Sequence, residues 1–160
     1  MVAQTVAPSL LSQAARLTND LIAWIERFPQ SILQLTFRIS IGSVFWNAGL
    51  TKIASWQTTL LLFRDEYRVP LLPPELSAYS ATAIELTCPI LLFAGFATRL
   101  AVLPMIAQAL VIEIFVYPED WIEHLTWVSM LLFLLTRGAG MVSVDHLVKS
   151  WIRRMPMFSA

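Results

Sequence analysis

Four apolar stretches, each close to the length that crosses a lipid bilayer, constrain this chain more than any other feature. They cover residues 32–55, 78–97, 100–117 and 121–136. About 20 apolar residues in a helix cross a hydrocarbon core that is about 30 Å thick. A soluble domain carries about 25% charged and about 45–50% apolar residues, whereas this chain of 160 residues is 14% charged and 57% hydrophobic. The sequence therefore predicts an all-α integral membrane protein, a bundle of four transmembrane helices.

Three segments are predicted along the chain: an N-terminal segment (1–30), a transmembrane domain (31–137) and a cytoplasmic tail (138–160). Within the first, residues 10–28 alternate apolar and charged side chains at helical spacing. That pattern is typical of an amphipathic helix in the membrane interface, and an ordinary helix packed on the bundle is the alternative. Residues 56–77 combine charges with three prolines, which predicts an irregular loop outside the hydrocarbon region.

The distribution of basic residues predicts the orientation of the bundle. With four spans, the N-terminal segment, the turn at 98–99 and the tail lie on one side of the membrane, which carries Arg16, Arg27, Arg99, Arg137, Lys149, Arg153 and Arg154. The other side carries Arg64, Arg68 and, at the end of its helix, Lys52. Because loops rich in Lys and Arg stay in the cytoplasm, both termini are predicted to be cytoplasmic, with the bundle in a bacterial inner membrane.

Charge and cysteine content exclude several classes of function. The 11 Lys and Arg residues balance the 11 Asp and Glu residues, so no basic surplus exists to attract a nucleic acid. Cys88 is the only cysteine, which excludes a disulfide or a redox pair of cysteines within the chain. No haem, flavin or iron–sulfur motif is present in the sequence, so we expect no intrinsic cofactor, and any electrons would come from a partner.

Ionisable residues inside the predicted spans indicate a site. A charge at the centre of a span costs at least about 2.5–3.5 kcal/mol, so such residues usually pair or line a wet pathway. The alternating directions of the spans place several of them in the outer half of the bilayer, and we call this group the outer polar cluster. It consists of Asn47, Lys52, Glu85, Glu113 and His124.

Two interpretations of the outer polar cluster stay open. It is either a ligand or proton site that opens to the outer side, or a structural pairing in which Lys52 neutralises Glu85. Two carboxylates and an imidazole can also bind a metal, but no His-x-x-His or Glu-x-x-His spacing occurs, and no metal site is predicted. Nearer the inner face, Arg38 and Asp145 are predicted to form a structural charge clamp if the tail folds back.

Three fragments resemble the DoxX family of small four-helix membrane proteins. The first is an Arg followed by spaced Gly, Phe, Gly and Lys, at Arg38, Gly42, Phe45, Gly49 and Lys52. The second is a Glu, a leucine-rich run and G-x-x-T-R, at Glu85, 91–94, Gly95, Thr98 and Arg99. The third is G-x-G-x-x-S-x-D, at Gly138, Gly140, Ser143 and Asp145. The resemblance covers about residues 35–146.

The resemblance implies a redox or stress-response role, because family members with a known role are subunits or neighbours of quinone-linked and sulfur-metabolising enzymes. We therefore expect a membrane accessory component that binds a quinone or another small ligand at the outer polar cluster. Its expected partners are the lipid bilayer, an oxidoreductase or another complex subunit, and further copies of this chain. The alternative is a non-enzymatic membrane anchor, assembly factor or small permease. No nucleophile, base and orienting group occur at a recognisable spacing, so a self-sufficient enzyme is not expected.

Overall fold

A computed structural model describes residues 10–70 and 72–154, and these residues form helices and short connections without a strand. The all-α prediction is therefore confirmed for the described part of the chain. The predicted cytoplasmic position of the two termini falls on residues 1–9 and 155–160, which lie outside the described residues. The chain divides into two compact units, and the boundary lies between Gln30 and Ser31.

The first unit contains helix α1, Leu10–Glu26. Apolar side chains at helical spacing make it strongly amphipathic, and Leu17, Leu21 and Ile25 lie along its exposed apolar stripe. The helix prediction for this segment is confirmed. The interfacial location stays a prediction.

The second unit is built on four long helices. They are α2 (Gln30–Ala54), α4 (Pro74–Ala94), α5 (Thr98–Val111) and α6 (Trp121–Arg137). All four contribute side chains to one apolar core, which includes Ile41, Phe45, Leu92, Val102, Met105, Leu131 and Leu134. The turn between α4 and α5 is short, because Gly95 ends α4 in the left-handed region, at φ 65°. Such a turn makes the two helices antiparallel neighbours.

The segment between α2 and α4 corrects the prediction of an irregular loop. It forms helix α3 (Trp56–Leu61) and a π-helical segment (Leu62–Tyr67), which we together call the cap segment. Thr59 and Phe63 are buried and lie four residues apart, so they share one face that packs against the bundle. This burial stabilises the helix. The sequence alone does not indicate it, because residues 64–66 are all charged and interrupt the apolar pattern.

Two helical segments are long and apolar enough to cross a membrane by length and composition. They are Pro74–Ala94 and Thr98–Val116, the latter consisting of α5 and a π-helical turn, Ile112–Val116. The helix α2 is 25 residues long but carries Arg38, Asn47 and Lys52. The helix α6 has 17 residues, which is the lower end of the usual range of about 17–25 for a transmembrane helix. The remaining elements are a 3₁₀ turn, Pro118–Asp120, and α7, Val144–Arg153.

Candidate functional site

Lys52 and Glu85 form an ion pair between α2 and α4. The Nζ atom of Lys52 lies 2.8 Å from Oε1 of Glu85, and the Glu85 side chain is 3% exposed. The same oxygen accepts a second hydrogen bond from Nε2 of Gln108 on α5, at 2.6 Å. The depth of the residues in the membrane predicts that Lys52 lies beside Glu85, but it does not predict the contact with Gln108. The feature that could have indicated Gln108 is its amide group, since all other residues from 100 to 111 are apolar.

Gly49 allows the close approach of α2 and α4 that this ion pair requires. A Cβ atom at Gly49 would lie 2.7 Å from Cδ2 of Leu86 and 3.1 Å from Cβ of Glu85. Gly49 is one turn before Lys52, so the close approach of the helices lies directly beside the charged pair. The absence of a side chain at Gly49 thus positions Glu85 against Lys52.

We expect Gly49→Val to separate α2 from α4 and to break the Lys52–Glu85 ion pair. A Cβ atom at residue 49 would already lie closer to Leu86 than van der Waals contact allows, and valine adds two methyl groups to that atom. The backbone must therefore shift, which typically costs about 1–3 kcal/mol. Thermal unfolding in detergent measures the loss of stability. Asn47→Val is the control, because Asn47 lies on the exposed face of the same helix. Equal unfolding temperatures for the two variants would contradict the role of Gly49.

His124 and Glu113 form a second pair, between α6 and the π-helical turn that follows α5. The Nδ1 atom of His124 lies 2.7 Å from Oε2 of Glu113. The His124 side chain is 5% exposed and packs edge to face against Trp127, with ring centroids 5.0 Å apart. The bond to Glu113 orients the ring and leaves its other nitrogen for another partner.

A cavity of about 530 Å³ joins the two pairs. Lys52, Glu85, Gln108 and His124 all contribute to its wall, whereas Glu113 lies behind His124 and does not. Most of the remaining wall is apolar, from side chains that include Val44, Phe45, Phe63, Ile84, Val111 and Trp127. A mostly apolar cavity of this volume with a few convergent polar groups is the usual form of a small-molecule site.

The structure corrects the predicted membership of the outer polar cluster. Asn47 is exposed and is not part of the cavity wall. It lies five residues before Lys52, which is about 140° around a helix of 3.6 residues per turn, so the two side chains point in different directions. In the described part of the chain, no group of three or more His, Cys, Asp or Glu side chains is close enough to hold a metal ion.

The cap segment covers one side of the cavity. Phe63 and Tyr67 contribute to the wall, and the hydroxyl group of Tyr117 donates a hydrogen bond of 2.8 Å to Oε1 of Glu66. Nearby, the guanidinium of Arg64 lies 2.8 Å from the Glu75 carboxylate. The hydrogen bond and charge of that carboxylate raise the pKa of Arg64 above its ordinary value. The burial of Thr59 and Phe63 and the hydrogen bond from Tyr117 to Glu66 hold the cap segment against the bundle, whereas the exposed pair of Arg64 and Glu75 contributes little.

The model of the DoxX family matches residues 33–118, which is more than half of the chain. The chain belongs to the DoxX family. DoxX proteins are integral membrane proteins that are often associated with redox or stress systems, so this chain contacts the lipid bilayer. No curated protein and no solved structure matches the chain.

The matched DoxX region contains five of the polar residues that carried the resemblance, Arg38, Lys52, Glu85, Thr98 and Arg99. The third fragment, from Gly138 to Asp145, lies beyond the match. The match also ends before α6, so His124 belongs to the part of the site that the family model does not cover. The functional roles of all these residues stay predictions.

Arg38 lies at the opposite end of this DoxX bundle from the cavity and binds backbone carbonyl groups. Its side chain is 1% exposed. The guanidinium donates hydrogen bonds to the carbonyl oxygens of Leu92 (2.6 Å), Phe93 (2.7 Å), Ala139 (2.9 Å) and Val142 (2.7 Å). One side chain of α2 thus connects the end of α4 to the chain that follows α6.

The predicted charge clamp between Arg38 and Asp145 is not a direct contact, although the carboxylate attracts the guanidinium at longer range. The Asp145 carboxylate instead accepts hydrogen bonds from the backbone N–H groups of Ala97 (2.8 Å) and Thr98 (3.2 Å), at the start of α5. A carboxylate at a helix N-terminus satisfies free N–H groups and interacts favourably with the helix dipole. Both residues do attach the tail to the DoxX bundle, each through backbone groups.

Proposed function

We propose that this protein is an accessory component of a membrane redox or stress-response system, and that its cavity binds a quinone or another small ring-shaped ligand. One observation carries the proposal: a carboxylate held by Lys52 and Gln108 lies in the wall of a mostly apolar cavity of about 530 Å³. An apolar ring gains from leaving water for such a wall, and the polar groups fix its orientation.

In this proposal α2, α4, α5 and α6 all span the membrane, and residues 31–137 form the transmembrane domain. The 25 residues of α2 extend about 37 Å at 1.5 Å per residue, which exceeds the hydrocarbon thickness of about 30 Å. The buried position of Arg38 and the pairing of Lys52 reduce the cost of the charges of α2 in lipid. Residues 1–30 then lie in the interface, and both termini are cytoplasmic in a bacterial inner membrane.

The cavity binds and positions its ligand, and a partner performs the electron transfer. The carboxylate of Glu85 and the imidazole of His124 both contribute to the wall, and either can exchange a proton with a bound ring. The sequence carries no electron-carrying cofactor motif, so an oxidoreductase or another subunit of the complex supplies the electrons. Association with further copies of the chain is also part of the proposal.

Co-purification tests the proposed ligand. The protein, solubilised in detergent from its own membrane, is extracted and its small molecules are identified by mass spectrometry, for the wild type and for Glu85→Gln. We expect a quinone-class molecule with the wild type and at least about tenfold less with the variant, because hydrogen bonds to charged groups contribute about 1.5–3 kcal/mol. Glu75→Gln is the control, since Glu75 lies outside the cavity wall. Equal recovery from all three proteins would count against the site.

The cap segment is expected to slow ligand exchange. Tyr117→Phe removes only the hydroxyl group that donates to Glu66, and a typical hydrogen bond contributes about 0.5–1.5 kcal/mol. We expect the dissociation rate of a bound quinone, followed by stopped-flow fluorescence quenching, to rise about two- to tenfold. Tyr79→Phe is the control because Tyr79 lies outside the cavity wall. An unchanged rate in Tyr117→Phe would mean that the ligand does not pass the cap segment.

A second candidate function is favoured by the amphipathic helix α7. Val144, Leu147, Val148, Trp151 and Ile152 recur at helical spacing, and Leu147 and Trp151 are each 64% exposed. Such a face suits a membrane anchor or assembly factor that binds another protein. Combined substitution of Leu147 and Trp151 by Ser would then abolish co-purification of a partner, whereas Ser150→Ala would not. A partner retained by the double variant would contradict this role for α7.

A further inference from the structure

The polar part of the cavity wall is rich in hydrogen-bond acceptors. Four of the side chains that line it carry acceptor oxygens, namely Glu85, Gln108, Asp120 and Glu123. Lys52 is the only Lys or Arg side chain in the wall as described, and it already donates to Glu85. The wall also contains donors, among them the hydroxyl group of Tyr67 and the indole N–H of Trp127, so the preference of the cavity depends on the acceptors that have no partner.

Two of these acceptors have unused capacity. The Oε2 atom of Glu85 and the Oε1 atom of Gln108 are buried and have no hydrogen-bond partner among the described residues. Both side chains are oriented by the bonds they do make, because Lys52 and Gln108 donate to the other oxygen of Glu85. The amide nitrogen of Gln108 faces the carboxylate, so its oxygen points elsewhere. A buried acceptor without a donor costs about 1–3 kcal/mol, which a donating ligand recovers.

We infer that the cavity prefers a ring-shaped ligand with hydroxyl donors, the reduced hydroquinone form rather than the oxidised quinone. This inference rests on the proposed function. A quinone carbonyl only accepts hydrogen bonds, whereas a hydroxyl group can donate to Glu85 or Gln108 and accept from Lys52 at the same time. Both free oxygens belong to side chains that line the cavity, and the broad terminal torsions of Glu and Gln allow them to turn towards a donor at small cost.

The binding test compares three ligands that share one ring. They are tetramethyl-1,4-hydroquinone, its dimethyl ether and tetramethyl-1,4-benzoquinone, measured anaerobically by calorimetry with the purified full-length protein in detergent. Full methyl substitution prevents the quinone from reacting with Cys88 or Lys52 through the ring carbons. We expect the hydroquinone to bind about 10- to 100-fold more tightly than the other two, because only the hydroquinone donates hydrogen bonds to the free acceptors.

Two variants test whether the preference for hydroquinone depends on the two free acceptor oxygens. Gln108→Met keeps the length of the side chain and removes its amide oxygen, so hydroquinone affinity should fall about tenfold while quinone affinity changes less. Glu85→Gln replaces one acceptor oxygen with a donor and should reduce the preference for hydroquinone further. If the variants fail to fold, the three wild-type affinities still decide the matter.

The outcomes separate this inference from the proposed function. Hydroquinone binding that is tighter than that of the other two ligands supports the inference. Equal affinities, or tighter binding of the quinone, would overturn the preference for donors and leave a quinone-class site intact. Failure of the wild type to bind any of the three would overturn both the site and the inference.

Discussion

Replacement of Arg38 by methionine is expected to reduce the stability of the bundle more than any other single change. Methionine keeps much of the apolar stem but donates no hydrogen bond, so the carbonyl groups of Phe93, Ala139 and Val142 lose this donor. The carbonyl group of Leu92 still accepts from the N–H of Gly95. Each buried carbonyl left unpaired costs about 1–3 kcal/mol, and relaxation of the turn recovers part, so we expect a total of about 3–5 kcal/mol. Thermal unfolding in detergent and the yield of monodisperse protein report the loss.

Arg38→Lys and Arg64→Met complete this experiment. Lysine keeps the charge but places its three donors on one atom, which cannot reach carbonyl groups on two separate segments at once. We expect Arg38→Lys to recover less than half of the lost stability. Arg64→Met should leave the unfolding temperature unchanged, because the side chain of Arg64 is 58% exposed and exposed ion pairs contribute little. An Arg38→Met variant as stable as Arg64→Met would contradict the structural role of these hydrogen bonds.

Lys52→Met is expected to destabilise the protein by about 2–4 kcal/mol, and Glu85→Gln by much less. The reason is their unequal burial: the side chain of Glu85 is 3% exposed, so without Lys52 its charge stays buried, whereas Lys52 is 18% exposed and can reach water alone. The double variant Lys52→Met/Glu85→Gln removes both charges and should recover most of the loss, because replacing a buried pair as a whole is often nearly neutral.

A double-mutant cycle on Lys52 and Glu85 separates the two interpretations of the outer polar cluster. A purely structural pair shows coupling in unfolding experiments and no change in ligand affinity, whereas a ligand site shows coupling in both. Additive single effects on stability would contradict the ion pair itself.

Most helices of this chain could be predicted from its apolar stretches, and the errors have physical causes. The predicted second span begins at residue 78, whereas α4 begins at Pro74. Proline is well suited to the first turn of a helix, since no partner for its missing N–H is needed there. The cap segment was missed because its charged residues conceal the spacing of Thr59 and Phe63, which the bundle buries.

Within the site, only those contacts could be predicted that depend on the depth of the two residues in the membrane and on nothing else. Lys52 and Glu85 lie at one depth on antiparallel helices, and the sequence predicted that they meet. Which way a side chain points around its helix depends on packing, so Asn47 was placed wrongly and Gln108 was missed. The partners of Arg38 were unpredictable for another reason. They are carbonyl groups, which every residue has, and only the folded chain brings those at the end of α4 and in the turn at 139–142 around the guanidinium.

The central claim, that a quinone-class ligand occupies this cavity, is tested most directly by filling the cavity. Ala81 is part of the wall, and Ala83 lies on the exposed face of the same helix. Binding of tetramethyl-1,4-hydroquinone is measured by calorimetry in detergent for the wild type, Ala81→Phe and Ala83→Phe. We predict an affinity at least about tenfold lower for Ala81→Phe, because the phenyl ring takes the ligand's space, and unchanged affinity for Ala83→Phe. Equal affinity of all three proteins would contradict a ligand site in this cavity.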